Sequence, residues 1–573
     1  MAPASPAHKP RKRKRHVRSY SLMLPSKPFP LASFLHPLRT SAKQRLVIPT
    51  LLIVAFIFRW AVTYGPYSGE HTPPMYGDFE AQRHWMEITI HLPMAQWYWY
   101  DLTWWGLDYP PLTAYHSWLC GKIGSLISPD WFALDASCGH ESYNNRVFMR
   151  ATVAVSDYLI YIPAIVIFSK WYSRTTGTDR YDRSIALAIL LAMPCLIIID
   201  YGHFQYNSVM LGLAVLAFAN FLADRLLWGS LMFVMSLCFK QMALYYAPAV
   251  FAYLLGLCVS FGRRAGGEGS GNGGGGSGLV ITIPGPIRID LQTLVLLGVT
   301  VLSTFAVMVA PFAVLHGEEH GALEQLAQMV HRVFPFARGL WEDKVANFWC
   351  ATNIVVKYRE MLARETLQKV SLALTLLAIL PPCALLFLRP KKALLPWGVA
   401  GCAWGFFLFS FQVHEKSVLL PMVAMTLVVA GGVDRDLLSW IGWANNVAMF
   451  SMWPLLRREG LGLQYTVLTG LWSWLLSLHE LPSSIFAKAL HVGFYIGALA
   501  LHVAEITVKG GIVERLPDVW VVGNVVLCFV AFAWLYVWVL YRMADEAGLV
   551  EDVYAVMGKA KEEGERERLK KVE

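Results

Sequence analysis

Charge is scarce in this chain. Only 16% of its 573 residues are Asp, Glu, Lys or Arg, while 56% are hydrophobic. A soluble domain carries about 25% charged residues and about 45–50% apolar ones. A larger soluble core does not absorb the excess, because burial saturates with size and chains then split into domains. The composition therefore excludes a soluble protein and indicates a polytopic membrane protein. The nine cysteines, at 120, 138, 195, 238, 258, 350, 383, 402 and 528, form no CxxC pair and no ligand spacing. They read as packing residues, with no disulfide framework and no structural metal expected. The paired halves with Gly/Pro-interrupted spans that mark many transporters are missing too. A cleavable leader is not evident, since the first apolar run begins near Leu46 without an A-x-A exit and reads as a signal anchor. The stretch GRRAGGEGSGNGGGGSG at 262–278 lacks the flanking strand and helix of a phosphate-binding loop, and reads as a flexible linker.

What the chain has in abundance is apolar runs. Spans are expected near 46–62, 150–169, 184–199, 204–223, 229–240, 242–261, 289–314, 366–388, 394–411, 417–431, 437–455, 461–479, 486–508 and 517–541. Fourteen spans make an all-α protein in three parts. Residues 1–45 form a basic tail, 46–541 a membrane domain and 542–573 a charged tail. The domain is interrupted by loops at 63–149 and 315–365 and by a linker at 262–288. The segment KPRKRKRHVR (9–18) could bind nucleic acid in isolation. Ahead of a first span it reads as a cytosolic flank. Counting from there puts Arg174, Arg180, Arg183, Arg263, Arg264, Arg389, Lys391 and Lys392 in the cytosol, as the charge rule requires, and Arg457 and Arg458 on the wrong side. Lys570-Lys571 matches a dilysine retrieval signal of endoplasmic-reticulum membrane proteins, which is read in the cytosol.

The same count gathers the polar clusters on the lumenal side. They are Gly77-Asp78-Phe79-Glu80 with Arg83 and His84, Asp108-Tyr109-Pro110-Pro111, His203-Phe204-Gln205, Lys240-Gln241, Arg338 with Glu342-Asp343-Lys344, and His414-Glu415-Lys416. Ionisable residues near a membrane are costly unless paired or watered, so such convergence marks a site. Asp78 follows a Pro-rich turn and stands either as a helix cap or as a general base, two roles of equal weight from position alone. A phosphate leaving group needs no proton, so one carboxylate that deprotonates an acceptor hydroxyl suffices for inverting sugar transfer. Hydrolysis through paired carboxylates would need two. His414 and Lys416 suit a phosphate pocket, or else a short polar loop with a local ion pair. The aromatics around Arg338–Lys344 suit a sugar face. Lys240 can snorkel, and His203 with Gln205 reads more simply as a satisfied loop. A scramblase would place its polar residues at the midplane, and an inert scaffold would have no need of them.

Six motifs taken together say more. GDFEAQRHWMEIT (77–89), WGLDYPPLTAYHS (105–117), HFQYNSVMLGL (203–213), FKQMALYYAP (239–248), FPFARGLWEDKVANFWC (334–350) and FSFQVHEKSVLLP (409–421) resemble the endoplasmic-reticulum glucosyltransferases that use dolichyl phosphate glucose. The first two motifs are similar to the branch that adds the first glucose. The branch adding the second has a similar LDYPP but differs around the first Asp. The resemblance implies a GT-C fold with a lumenal active site in a multi-pass endoplasmic-reticulum protein, and the basic tail and Lys570-Lys571 put both termini in the cytosol. It implies Asp78 as general base and His414, Glu415 and Lys416 beside the donor phosphate. It implies Asp108, Glu342 and Asp343 lining the pocket, with Glu80, Arg83, Tyr109, Gln205, Lys240, Arg338 and Lys344 as further substrate contacts. The implied activity is inverting α-1,3 transfer of a first glucose to a dolichyl-pyrophosphate-linked nine-mannose oligosaccharide, in N-glycan precursor assembly. No metal or other cofactor and no nucleic acid is expected, and the chain is expected to act as a monomer among membrane lipid.

Overall fold

A computed structural model describes residues 29–40, 42–261, 280–282, 287–334 and 344–551. Among these, nine helices are long and apolar enough to cross a membrane: Gln44–Val62, Tyr143–Thr176, Arg180–Phe204, Gln241–Cys258, Leu291–Val314, Arg364–Leu388, Lys392–Phe409, Ile485–Thr507 and Val519–Glu546. Every expected span overlaps helix, with strand at 259–261 and 289–290, but five helices are shorter. Asn207–Leu222 and Leu226–Phe239 are apolar but brief, and Leu419–Leu427, Arg435–Ser451 and Gly462–Leu475 are short as well. Short helices can serve inside the bundle, where neighbouring helices cover their ends. Burial separates the layers: the apolar window of Arg180–Phe204 is 94% buried and that of Leu291–Val314 only 11%. The outer helices expose apolar side chains such as Leu302, Val307 and Leu499, a face suited to lipid.

Local signals set the helix ends. Asp179 accepts hydrogen bonds from the N–H groups of Tyr181 (2.7 Å) and Asp182 (2.9 Å) at the start of Arg180–Leu191. Asp434 does the same for Leu437 at 2.7 Å, ahead of Arg435–Ser451. Residues 280–282 and 287–288, assigned above to the linker, are strand instead. Val259–Phe261, Val280–Thr282 and Ile287–Asp290 form an antiparallel sheet with the third strand central, Val259 opposite Ile289. The β-branched residues of VIT and IRID favour that pairing.

The first loop region is largely helical. Asp78–His91 packs on Pro111–Ile127, and the contact is close because Gly121 has no side chain: a Cβ there would meet Met86 O at 2.9 Å and Ile90 Cγ2 at 2.8 Å. The second loop region contributes Ala322–Val333, which docks on the first. Trp99 Nε1 donates to Gln325 Oε1 (2.7 Å), Gln328 Nε2 to Tyr98 O (3.0 Å) and Arg332 Nη2 to Gly106 O (2.8 Å). The two loop regions thus form one layer.

Inside the bundle, Arg59 Nε bonds Asp157 Oδ2 at 2.8 Å, with both side chains at most 2% exposed. Arg59 Nη1 also donates to Leu191 O (2.7 Å) and Tyr201 OH to Asp157 Oδ2 (2.7 Å), so three helices meet at this pair. Removing one partner of such a pair strands the other charge, which costs about 3–5 kcal/mol. Asp157→Ala is expected to lower the unfolding temperature of the detergent-purified protein more than the double replacement Arg59→Met/Asp157→Leu does. Thermal unfolding of the three proteins checks this.

Candidate active site

The backbone brings Asp78 forward. Gly77 caps helix Asp78–His91 with φ +108°, a left-handed conformation that glycine adopts without strain. Asp78 is therefore the first helical residue, and its N–H donates to Ser68 Oγ at 3.3 Å. The helix N-terminus favours its negative charge. The side chain does no capping: Oδ2 instead accepts from His203 Nε2 (2.8 Å), Gln205 Nε2 (2.5 Å) and Lys416 Nζ. Oδ1 has no hydrogen bond among the described residues, and the side chain is 24% exposed.

The partners arrive from two irregular segments. Ile198–Phe204 widens into a π-turn, and Phe204 then takes φ +85°, rare for a bulky residue. Gln205 beyond it is extended. The strained turn is braced on several sides. Arg150 donates to Tyr201 O and to Pro66 O (3.1 Å), its guanidinium lies 5.8 Å over the Phe204 ring, and Ser68 N–H donates to His203 O (3.0 Å). Lys416 lies in the turn Glu415–Val418, after a positive φ at Gln412, and the His414 N–H is tied to Ser417 Oγ at 3.3 Å.

Burial alone would raise the Asp78 carboxyl, but Lys416 foremost and then His203 outweigh it and hold it well below the usual carboxylate range. Burial would likewise lower the Lys416 ammonium, and Asp78 more than compensates, leaving it raised. Asp78 is thus ionised and Lys416 charged across the neutral range.

A second layer supports the first. Lys240 Nζ donates to Asn207 Oδ1 (2.7 Å) and to Gln205 Oε1 (3.3 Å), and sits 4.8 Å from the centre of the Tyr109 ring. Asp108 and Glu415 lie close enough to act electrostatically on Lys240 and Lys416 respectively. Of the residues singled out in the sequence, Asp78, Gln205 and Lys416 are in direct contact, and Lys240, Tyr109, Asp108, Glu415 and His414 surround them.

Glu80 and Arg83 are corrections. Two residues along a helix is about 200°, so Glu80 points away from Asp78's side. Arg83 Nη2 and Nε donate to both Glu80 oxygens (2.5 and 2.7 Å), and Nη1 to Glu87 Oε2 (2.7 Å) and Ser137 Oγ (2.6 Å). Glu80 is 2% exposed and Arg83 fully buried, so neither has surface for a substrate. Ligand atoms of Glu80, His84 and Cys138 lie within 4.8 Å of one another. A divalent cation there would face the Arg83 guanidinium, already seated on the same carboxylate. Lys344 is exposed and pairs with Asp518, with no hydrogen bond to the Asp78 cluster. Arg338, Glu342 and Asp343 lie outside the described residues.

Three residues went unread in the sequence. His203, taken there as part of a satisfied loop, bonds Asp78 directly. Asn207 receives Lys240. Glu459 accepts from His203 Nδ1 at 2.8 and 2.7 Å. A signal for Glu459 was present: it follows Arg457-Arg458, the pair that the charge count put on the same side as the polar clusters. Its bond to His203 keeps that corner at the Asp78 end.

A bundle of apolar helices that holds an ionised carboxylate with one open oxygen, beside a lysine at its end, is equipped to activate a hydroxyl acceptor at a membrane face. That is the equipment of a membrane glycosyltransferase. Comparison with known families agrees: the profile described as the ALG6, ALG8 glycosyltransferase family matches residues 55–541, and the chain belongs to this family. Among curated relatives, one from Schizosaccharomyces pombe is 45% identical over 90% of this chain and 95% of its own length, and is named "Probable dolichyl pyrophosphate Man9GlcNAc2 alpha-1,3-glucosyltransferase". One from Saccharomyces cerevisiae, named "Dolichyl pyrophosphate Man9GlcNAc2 alpha-1,3-glucosyltransferase", is 42% identical over 90% of this chain and 94% of its own length. A Gallus gallus protein of that same name is 43% identical over 74% of this chain and 77% of its own length.

The structural role of Arg83 is testable. Arg83→Ala leaves Glu80 and Glu87 as buried carboxylates without their cation, a loss of about 3–5 kcal/mol. A sharp fall in folded yield and unfolding temperature is expected, measured by size-exclusion profile and thermal unfolding in detergent. Unchanged stability together with a raised KM would return Arg83 to the substrate surface.

Proposed function

We propose that this chain transfers one glucose from dolichyl phosphate glucose to a terminal mannose of dolichyl-pyrophosphate-linked Man9GlcNAc2, forming an α-1,3 bond with inversion, during assembly of the N-glycan precursor. The observation that carries the reading is Asp78, with Oδ2 taken by three donors and Oδ1 without a hydrogen bond among the described residues. The names of the relatives supply the acceptor. The acceptor hydroxyl oxygen attacks C1 of the β-linked glucose and Asp78 Oδ1 takes its proton. The bond from C1 to the phosphate oxygen breaks, and its electrons stay on the departing dolichyl phosphate. That leaving group needs neither a proton nor a metal.

In this reading Lys416 and His414 meet the donor phosphate, with Glu415 setting the charge around Lys416. An arriving phosphate shares the Lys416 charge with Asp78, which makes the carboxylate more basic as both substrates come together. Asp108, Tyr109 and Lys240 form the neighbouring wall for sugar hydroxyls, and Arg338, Glu342 and Asp343 are carried as substrate contacts from the family resemblance. We assign the chain a GT-C fold with fourteen crossings, its site facing the lumen of the endoplasmic reticulum, both termini cytosolic and one chain sufficient. Supporting this, Arg174, Arg180 and Lys392 stand at the helix ends opposite His203 and Lys416.

Asn matches Asp in size, and its amide oxygen can accept from the same donors, but it takes no proton at neutral pH, and base catalysis is worth about 10²–10⁴-fold. Asp78→Asn is expected to fold and to bind both lipid substrates while transferring almost no glucose, as measured with purified protein, dolichyl phosphate glucose and a nine-mannose lipid-linked acceptor. Near-normal turnover would remove Asp78 as the base. Transfer to an acceptor that already bears one glucose, in preference to the unglucosylated one, would reassign the chain to the second-glucose branch.

His414→Ala is expected to reduce donor use by about ten- to a hundredfold, the equivalent of one charge-assisted hydrogen bond of about 1.5–3 kcal/mol. Steady-state kinetics with varied donor measure this. Wild-type values would confine His414 to the local turn.

A further inference from the structure

Glu459 has no part in the transfer just described. It follows the short helix Trp453–Arg458, and its side chain is 6% exposed. Both its oxygens lie within hydrogen-bond distance of His203 Nδ1, while His203 Nε2 bonds Asp78 Oδ2 at 2.8 Å. Ionised carboxylates only accept. With carboxylate oxygens facing both ring nitrogens, the geometry is that of an imidazolium held between two carboxylates. Lys416 Nζ stands 3.1 Å from His203 Nε2. Two cations at that separation are held by two anions, Asp78 and Glu459. With Glu459 gone, two cations would share one carboxylate, and the imidazolium would give up its proton.

The two cations on Asp78 are not equivalent. Lys416 is a long, single-ended side chain on a turn, free to shift toward an arriving phosphate. His203 is buried, anchored at both ends, and sits on the braced turn at Phe204. We propose that Glu459 is a positioning residue for Asp78: acting through His203, it keeps the carboxylate ionised and its open oxygen aimed while Lys416 is shared with the donor. The inference rests on the glucosyl-transfer reading above.

Other charged groups around this chain are Arg150 and Lys416 near Glu459, Lys240 near Asp78, and Glu415 near Lys416. Glu459→Gln leaves all of them in place. Its amide oxygen can still accept from Nδ1, so the shape of the chain survives and only the charge is lost. The sign follows directly. Loss of the His203 charge raises the Asp78 carboxyl, so a larger share of it is protonated and inactive as the pH falls.

The test is the pH profile of kcat and KM from about pH 5 to 8 for full-length wild type, Glu459→Gln and Glu459→Asp in detergent, with dolichyl phosphate glucose and the nine-mannose lipid-linked acceptor. Wild type is expected to hold its kcat to the acid end of that range. Glu459→Gln is expected to lose kcat progressively below about pH 6, by about tenfold at pH 5, with both KM values within about threefold of wild type. Glu459→Asp, which restores the charge, is expected to recover most of the acid-side activity. A Glu459→Gln profile that superimposes on wild type overturns the proposal. So does an equal kcat loss in the Gln and Asp variants at every pH, since that marks a merely structural contact. A wild type that transfers no glucose between these substrates overturns the glucosyl-transfer reading itself, and the role assigned to Glu459 with it.

Discussion

A carboxylate at the end of an apolar bundle must be partnered, and the partners of Asp78 come from far along the chain. His203, Gln205 and Lys416 lie 125, 127 and 338 residues away in sequence. Their meeting requires the helix Asp78–His91, the unwound end of the Arg180–Phe204 span and the turn after Lys392–Phe409 to be in register. Each of those segments has its own device: glycine at 77, a positive φ at Phe204 and a positive φ at Gln412. Strained backbone of this kind persists where surrounding structure over-determines it, and at Phe204 the bracing groups are identifiable: Arg150, Ser68 and the Phe79 ring, whose centre lies 4.8 Å from that of Phe204.

Two buried ionic clusters divide the labour along the helix that starts at Asp78. On one side Asp78 keeps an open oxygen and partial exposure. On the other, Glu80, Arg83 and Glu87 close on each other and on the 131–139 segment, with nothing left for solvent. The second cluster fixes the helix from behind, so that its N-terminus presents Asp78 at a defined place. Arg332 and Gln325 extend the same logic, pinning the second loop region on the first through main-chain oxygens and a Trp indole.

Legibility in the sequence followed the range of the interaction. Helix positions were readable, because apolar runs are local, and each expected span overlaps helix. Helix lengths were less so, since an inner helix such as Asn207–Leu222 can be short where its neighbours shield it. The strand residues 280–282 and 287–288 were merged into the glycine linker, and 289–290 into the next span, because their pairing depends on residues 259–261. Within the site, Asp78, Gln205 and Lys416 stood out as polar residues against apolar surroundings. Glu80 and Arg83 looked the same by that criterion and turned inward, because residue type does not reveal which side of a short helix meets the neighbouring loop. His203 looked like a loop residue, and Glu459 drew no reading of its own.

By itself, then, the sequence determined the membrane class, the approximate positions of the apolar helices, and the residue types available for chemistry beside them. These depend on composition and on periodicity within twenty or so neighbours. Tertiary structure alone decided which carboxylate is open and which is sealed, which cation faces Asp78, and that Glu459 reaches it through His203. Those outcomes are set by contacts between segments hundreds of residues apart, where burial makes every unpaired charge costly and so selects one pairing.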